Sequence, residues 1–398
     1  MNNSADFWHA VDLLSRHLCV QWRQTKRKED PKNTQEAQSV LFVNERGDIL
    51  KKIEKVILQM TQSISKGDAP IFSYTNKSSW DSVRFENSVG IEPAKDQKLS
   101  HVRFDSLQSV KKFGLMTRIL SIIYKLIQQN KYCTKRDLYY QYPELFGSQT
   151  TLDNLVDNVA CLLETPRWEL HVLATCKGSV AGDVQFYSDQ GHFVDCSITR
   201  TGIPVPAHMK DMQNMTTHAR LVLIVEKDAT FQKLLGDQFC QKFGPCIMIT
   251  GKGFPDLGTR LLLRALWDRF QLPMFILVDA DPHGIEIMCV YRFGSKAQAA
   301  ENRHLAVPSM KWLGILPSDL GRLNIHESVC IQFTKKDMDK ASELIGRPYV
   351  LANPPLATQV QHLLQLGHKA EIQCLDSLSP AYLCDVYLPS KLQCGAWL

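Results

Sequence analysis

Two unbroken apolar runs, Leu221 to Val225 and Met274 to Val278, dominate the hydropathy pattern, and a third follows the same form at 246–250. Runs that do not alternate with polar residues are the mark of strands buried on both faces of a parallel sheet. Helical spacing fills the intervals, from Asp228 to Phe239 and from the loop Gly251-Lys-Gly-Phe-Pro-Asp256 to Phe270. A further helix opens at Asp279-Ala-Asp-Pro-His-Gly284. Strands alternating with helices predict βαβ units joined by right-handed crossovers. Helices expected near 335–345, 359–366 and 380–387 would pack on this sheet.

The first half of the chain has a different rhythm. Residues 6–22 have the pattern of a short amphipathic helix, and 23–38, charged and poor in apolar residues, read as a linker. Ile49, Ile53, Val56, Ile57, Met60 and Ile64 form one stripe at helical spacing, a helix of about 49–64 that needs a surface to lie on. Residues 66–100 show weak periodicity and read as irregular, which places a boundary near residue 100. Leu107 to Ile127 then marks several helical turns, Thr134-Lys-Arg-Asp137 has the form of a capping box that starts a second helix, and Leu152 to Leu163 marks a third. Strands at 170–175 and 180–186, turning on Lys177-Gly-Ser179, would complete the winged-helix form of the helix-turn-helix. The expected division is a variable region at 1–100, a winged-helix domain at 101–187, a connecting segment at 188–218 and an α/β domain at 219–398.

Composition narrows this only slightly. The net charge of +5 permits a nucleic-acid partner without requiring one. Twelve cysteines include no Cys-x-x-Cys pair, so reduced thiols and no zinc site are expected. The N-terminus lacks the apolar core of a signal peptide, and no run is long enough to cross a bilayer. The basic triplet Lys26, Arg27 and Lys28 has the composition of an import signal, although such triplets are common on solvated surfaces.

The candidate chemistry lies at the strand ends. Glu226 closes one apolar run, and Asp279 and Asp281 close another, so three carboxylates reach the edge where open α/β sheets bind ligands. They would repel one another unless a hard divalent cation neutralised them, and an oxygen-only ligand set suits Mg²⁺ or Mn²⁺. Read alone, Asp-x-Asp before Pro and Gly is turn chemistry capping the next helix. Taken with Glu226, these motifs resemble the Toprim domain of topoisomerases, primases and some nucleases. Gly251-Lys252-Gly253 lacks the spacing of a nucleotide-binding loop; with Phe254 beside it, close approach to a nucleic-acid backbone competes with a plain surface loop. Arg136 lies three residues before Tyr139 and four before Tyr140, so its cation could sit over either hydroxyl. A tyrosine hydroxyl, with a pKa of about 10, needs such help to act as a nucleophile. Spacing does not choose between the two.

In order along the chain, Thr-Lys-Arg-Asp-Leu-Tyr-Tyr, Ile-Val-Glu-Lys-Asp-Ala-Thr-Phe, Ile-Thr-Gly-Lys-Gly-Phe-Pro-Asp and Val-Asp-Ala-Asp-Pro-His-Gly-Ile resemble the eukaryotic meiotic double-strand-break proteins related to the A subunit of type IIB topoisomerase VI. The resemblance spans roughly residues 105–398. It implies that Tyr140 is the nucleophile, Arg136 the active-site arginine, and Glu226, Asp279 and Asp281 the metal ligands, with Lys177 and Phe254 contacting DNA; the loop reading adds Lys252 to those contacts. The implied activity is DNA strand cleavage that consumes no ATP and leaves a 5′-phosphotyrosyl bond. The alternatives are the A subunit of a religating topoisomerase and, in another class, a catalytically silent DNA-binding scaffold. The implied partners are double-stranded DNA, a second copy of the chain, further break-forming meiotic proteins and a topoisomerase VI B-like subunit, in the nucleus and on chromosomes. The 49–64 stripe is expected to face that B-like subunit rather than the chain's own winged-helix domain.

Overall fold

A computed structural model describes residues 7–29, 46–75, 80–95, 98–207 and 212–398, and the side chains of Lys26, Arg27 and Lys28 lie outside the described residues. The chain divides into two compact units, one drawn from the described residues of 35–83 and 93–175, the other from those of 1–34, 84–92 and 176–398.

In the first unit, α1 (Arg46–Ser65), the antiparallel pair β1 (Ile71–Thr75) and β2 (Leu99–Arg103), and α2 (Val110–Gln128) are followed by β3 (Cys133–Thr134), α3 (Lys135–Gln141), α4 (Gln149–Leu162) and β4 (Val172–Leu173). Its core joins Met116, Ile119, Leu120 and Ile123 of α2 to Leu138 of α3 and to Leu152, Val156 and Val159 of α4. The second helix of the sequence pattern starts at the expected residue. Thr134 Oγ1 accepts the Asp137 N–H at 3.1 Å and the Asp137 carboxylate accepts the Thr134 N–H at 3.2 Å, satisfying two donors that a helix start otherwise leaves free.

Three expectations for this unit are corrected. Ile49 and Ile53 of α1 are buried in this core, with Val56 and Met60 packed against it, so the inner part of the stripe lies on the chain's own surface; Ile57 and Ile64 stay exposed. Residues 66–100 are not irregular, because Phe72 and Tyr74 point inward from β1, which pairs with β2 from Ile71 opposite Arg103 to Thr75 opposite Leu99. This pairing runs across the boundary drawn at residue 100, and each strand is too short to carry a visible alternation. The helix after it begins at Val110, leaving Leu107 exposed.

The second unit is built on a six-stranded sheet. In chain order its strands and their neighbours are β5 (Ser179–Gly182), β6 (Gln185–Tyr187), β7 (Phe193–Asp195), β8 (Ile203–Pro204), β9 (Gln213–Thr216), β10 (Leu221–Val225), β11 (Cys246–Thr250), β12 (Met274–Leu277) and β13 (Lys311–Gly314). The sheet order is β8-β5-β11-β10-β12-β13, with β11, β10, β12 and β13 parallel and the β5 and β8 edge antiparallel. Helices α5 (Asp228–Gly236), α6 (Leu257–Phe270) and α7 (Pro282–Phe293) follow β10, β11 and β12. Every residue of β10, β11 and β12 is buried, which is why these runs read as continuous rather than alternating.

The expected hairpin over 170–186 does not form. β4 pairs in parallel with β3, whereas β5 pairs antiparallel with β11 on the large sheet. Lys177 therefore leads into β5, which lies between β8 and β11 in the sheet, and is not on a wing. The cause is Asp256, whose carboxylate accepts the N–H groups of Lys177 and Gly178 at 2.9 Å each while also capping α6 through the Thr259 N–H at 2.8 Å. A side chain at Gly178 would collide with Thr259, its Cβ falling 2.0 Å from Oγ1. The stretch read as a connecting segment also carries structure, since β6, β7 and β9 form a three-stranded antiparallel sheet.

The N-terminal helix, His9–Glu29, is longer than its pattern predicts and belongs to this unit. Val11 and the preceding Trp8 join the core, and Arg220 stacks over Trp8 at 4.5 Å while bonding Asp12 at 2.8 Å. At the C-terminal end, Asp319 and Lys391 form a buried pair at 2.8 Å, to which Tyr387 donates its hydroxyl at 2.6 Å. Burial alone would raise the Asp319 carboxyl, but Lys391 and Tyr387 hold it below the usual carboxylate range. A depressed carboxyl stabilises the fold above its unfolded pKa, and that contribution is lost as the pH falls through its folded value. Asp319→Asn leaves Lys391 buried without its counter-charge, an expected loss of about 3 kcal/mol at neutral pH. Urea unfolding would register it, together with faster proteolysis at helix Leu388–Cys394.

Candidate active site

β10 and β12 are adjacent and parallel, so their C-terminal ends deliver Glu226 and Asp279 to the same edge. The Glu226 backbone is fixed on three sides: its N–H donates to Leu277 at 3.0 Å, and its carbonyl accepts the Gly253 N–H at 2.8 Å and the Thr250 hydroxyl at 3.4 Å. Its carboxylate accepts the Asp279 N–H at 2.8 Å. Asp279 in turn uses Oδ1 to accept the Ile372 N–H at 2.8 Å and Oδ2 to pair with the Lys227 ammonium at 2.7 Å. Both carboxylates are buried, with Glu226 7 % and Asp279 3 % exposed.

Burial pushes the Glu226 carboxyl up to about 7, with the Asp279 charge adding to it and the Asp279 N–H opposing it. Burial raises Asp279 as well, against the pull of Lys227. Lys227, despite its own burial, is held above the usual lysine range by Asp279 and Glu371.

Asp281 combines both readings of the Asp-x-Asp motif. Its carboxylate caps α7 by accepting the Gly284 N–H, and its charge also raises Glu226 and Asp279. Gly284 allows the helix to start this close to the strand, since a Cβ there would lie 2.5 Å from the Asp279 carbonyl oxygen. Among the described residues, no three His, Cys, Asp or Glu side chains are gathered as they stand into a cage for a metal ion. The donor chemistry nevertheless fits a hard divalent cation: two buried, mutually repelling carboxylates, a third acid nearby, and oxygen atoms only.

The loop after β11 adjoins this edge through the Gly253 N–H bond to Glu226. Lys252 and Gly253 both have left-handed backbones, at φ 54° and 94°, and Phe254 projects from the loop with its ring half exposed. Lys177 reaches the loop by donating its ammonium to the Lys252 carbonyl at 3.1 Å. Lys177, Lys252 and Phe254, from distant parts of the sequence, thus lie together beside Glu226.

Arg136, Tyr139 and Tyr140 lie on α3 of the first unit. Tyr139 packs against the core, whereas Tyr140 is 72 % exposed and Arg136 is also exposed. The tyrosine rings are 5.8 Å apart and tilted. Among the described residues, neither the Arg136 guanidinium nor the Tyr140 hydroxyl has a hydrogen-bond partner.

The sequence pattern assigns no role to Lys227, Asp256 or Glu371. Lys227 follows Glu226 directly, and a cation beside an acid is a signal that could single it out. Glu371 carries no local signal, because the bridge between the distant Ala280 and Ala370 is what brings its segment to the site.

Comparison with known proteins agrees with this geometry. The family model for the Toprim domain of Spo11 and of the topoisomerase 6 A subunit matches residues 221–392, and the model "Type IIB DNA topoisomerase" matches 111–172. The chain is 44 % identical over 398 residues to meiotic recombination protein SPO11 of Homo sapiens, covering 100 % of this chain and 99 % of that one. It is 46 % identical over 351 residues to the Mus musculus protein of the same name, covering 88 % and 89 %. It is 38 % identical over 348 residues to the A subunit of DNA topoisomerase 6 of Arabidopsis thaliana, covering 87 % and 81 %. With a Toprim sheet that gathers its acids at one edge, and with these relatives along its whole length, the chain belongs to the family of DNA-cleaving transesterases that unites Spo11 with the A subunit of topoisomerase 6.

Proposed function

We propose that the protein makes meiotic double-strand breaks by transesterification, with Tyr140 as its nucleophile. The Tyr140 oxygen forms a bond to a backbone phosphorus, the bond from phosphorus to the 3′ oxygen breaks, and the leaving oxygen takes up a proton. One ester replaces another, so the exchange needs no ATP. The product is a 5′-phosphotyrosyl link between protein and DNA, from which homologous recombination starts.

The observation that carries this reading is the contrast on α3: Tyr139 is anchored in the core while Tyr140 stands in solvent on a capped helix, where a phosphodiester can reach it. Arg136, one turn earlier, would grip the phosphate. Glu226, Asp279 and Asp281 would hold Mg²⁺, with Mn²⁺ as its substitute, and the cation supplies charge stabilisation at the phosphate. Lys177, Lys252 and Phe254 would line the DNA path, with Lys177 tied to the loop and Phe254 free to meet a sugar or base. The three-helix unit around the capping box would present the tyrosine to the DNA.

Nucleophile and carboxylates lie in different units, which suits a homodimer whose two composite sites each cut one strand. No ATPase motif is read from this sequence, so a topoisomerase VI B-like subunit is the expected partner, with further break-forming proteins at chromosomes in the nucleus. No helix among the described residues is long and apolar enough to cross a membrane.

Tyr140→Phe removes one oxygen and is expected to abolish the covalent DNA adduct in the reconstituted complex, while Tyr139→Phe retains it. Mass spectrometry that mapped the adducted peptide to Tyr139 would overturn the assignment, and adducts that reseal into relaxed circles would favour the religating topoisomerase. Replacing Glu226, Asp279 or Asp281 by Ala is expected to reduce Mg²⁺-dependent cleavage by about 100-fold or more, since each removes a charged ligand or its orienting neighbour. Cleavage by the triple variant with unchanged metal dependence would put the metal site elsewhere.

A further inference from the structure

Asp279 is fully engaged in this structure. Oδ1 is committed to the fold, because the Ile372 N–H that it accepts belongs to a segment fixed by reciprocal bonds between Ala280 and Ala370, at 2.9 and 3.2 Å. Oδ2 is held by the Lys227 ammonium at 2.7 Å, and the same ammonium lies 3.2 Å from the Glu371 carboxylate. The two anions differ in kind. Asp279 is buried, while the Glu371 side chain is 53 % exposed and sits on the segment that orients Asp279.

An ammonium against Oδ2 opposes any second cation there by direct charge repulsion. It also offsets the burial of Asp279 for as long as no other cation does so. Lysine is a compact charge on a flexible four-carbon stem, able to change partners without backbone motion. Glu371 already shares the charge and, being half exposed, can keep it at little desolvation cost.

We propose that Lys227 is the resident counter-cation of Asp279, and that Glu371 takes it over when a divalent cation occupies the carboxylates. The inference rests on Glu226 and Asp279 being metal ligands, and it assigns Lys227 and Glu371 as positioning residues that set how readily the site loads. It makes the carboxylate cluster stable when empty and sets a threshold for filling it. The two residues have opposite effects. Removing Lys227 removes the competitor, whereas removing the Glu371 charge leaves Lys227 with Asp279 as its one ion-pair partner among the described residues.

The test is Mn²⁺ binding to the full chain without DNA, read from the electron paramagnetic resonance signal of free Mn²⁺. Lys227→Met is expected to tighten binding about tenfold and Glu371→Gln to weaken it about threefold. Lys227→Met is also expected to melt earlier in chelator and to regain stability on adding Mn²⁺. A simple structural role for Lys227 would instead lower stability and Mn²⁺ affinity together. Should Lys227→Met fail to fold, Glu371→Gln, altered at a half-exposed side chain, carries the test alone. Unchanged or tighter Mn²⁺ binding by Glu371→Gln, or unchanged or weaker binding by a folded Lys227→Met, overturns the exchange. A separate control is Asp279→Asn: Mn²⁺ binding that this variant leaves intact would sink the metal-site reading itself, and the exchange with it.

Discussion

Two carboxylates buried side by side at the end of a parallel sheet are the constraint around which the second unit is arranged. Each ion carries a desolvation cost of several kcal/mol, and their mutual repulsion adds to it. Such a pair persists only where donors or a cation offset much of that cost. The sheet register brings the Asp279 N–H to Glu226, the C-terminal segment brings the Ile372 N–H to Asp279, and Lys227 brings a charge. Part of the cost remains, visible in a Glu226 carboxyl pushed up to about 7. What remains is an affinity for positive charge.

The rigidity that this needs comes from the apolar strands. β10, β11 and β12 are buried along their length, so the backbone that carries Glu226 and leads to Asp279 cannot relax to separate the charges. The glycine loop is tied to the same frame, and Asp256 extends the frame to Lys177 through two further backbone bonds. One carboxylate thus fixes the proposed DNA-contacting surface while its own oxygens stay committed to backbone N–H groups, a role that hydrogen bonding explains but residue type alone does not.

The same physics separates what is legible in the sequence from what is not. Buried parallel strands leave uninterrupted apolar runs, and their acidic ends are conspicuous because nothing else in the run is polar. The capping box at Thr134 and Asp137 is equally legible, being a local pattern that closes on itself within one turn. Pairings between distant segments leave no such trace. β1 and β2 are five residues each, and nothing in either marks the other as its partner. β5 reads as one arm of a hairpin until Asp256, 78 residues beyond Gly178, pulls it to the sheet. The α1 stripe is visible as a face needing cover, but its polar flanks give no hint that the chain covers it with α2. Glu371 is invisible for the same reason as β5, since its place depends on a bridge to the distant Ala280.

The tyrosine is organised in the opposite way from the carboxylates. α3 has seven residues, too few to be stable as an isolated helix, and it is held by its capping box and by Leu138 and Tyr139 on the core side. At about 100° per residue, anchoring 138 and 139 turns the next position outward. Tyr140 is exposed because its neighbours are buried. A hydroxyl in water, with no hydrogen-bond partner among the described residues, is a poor nucleophile. On the proposed reading the buried acids and the exposed hydroxyl are each inert alone, and bond exchange waits on a bound DNA phosphate.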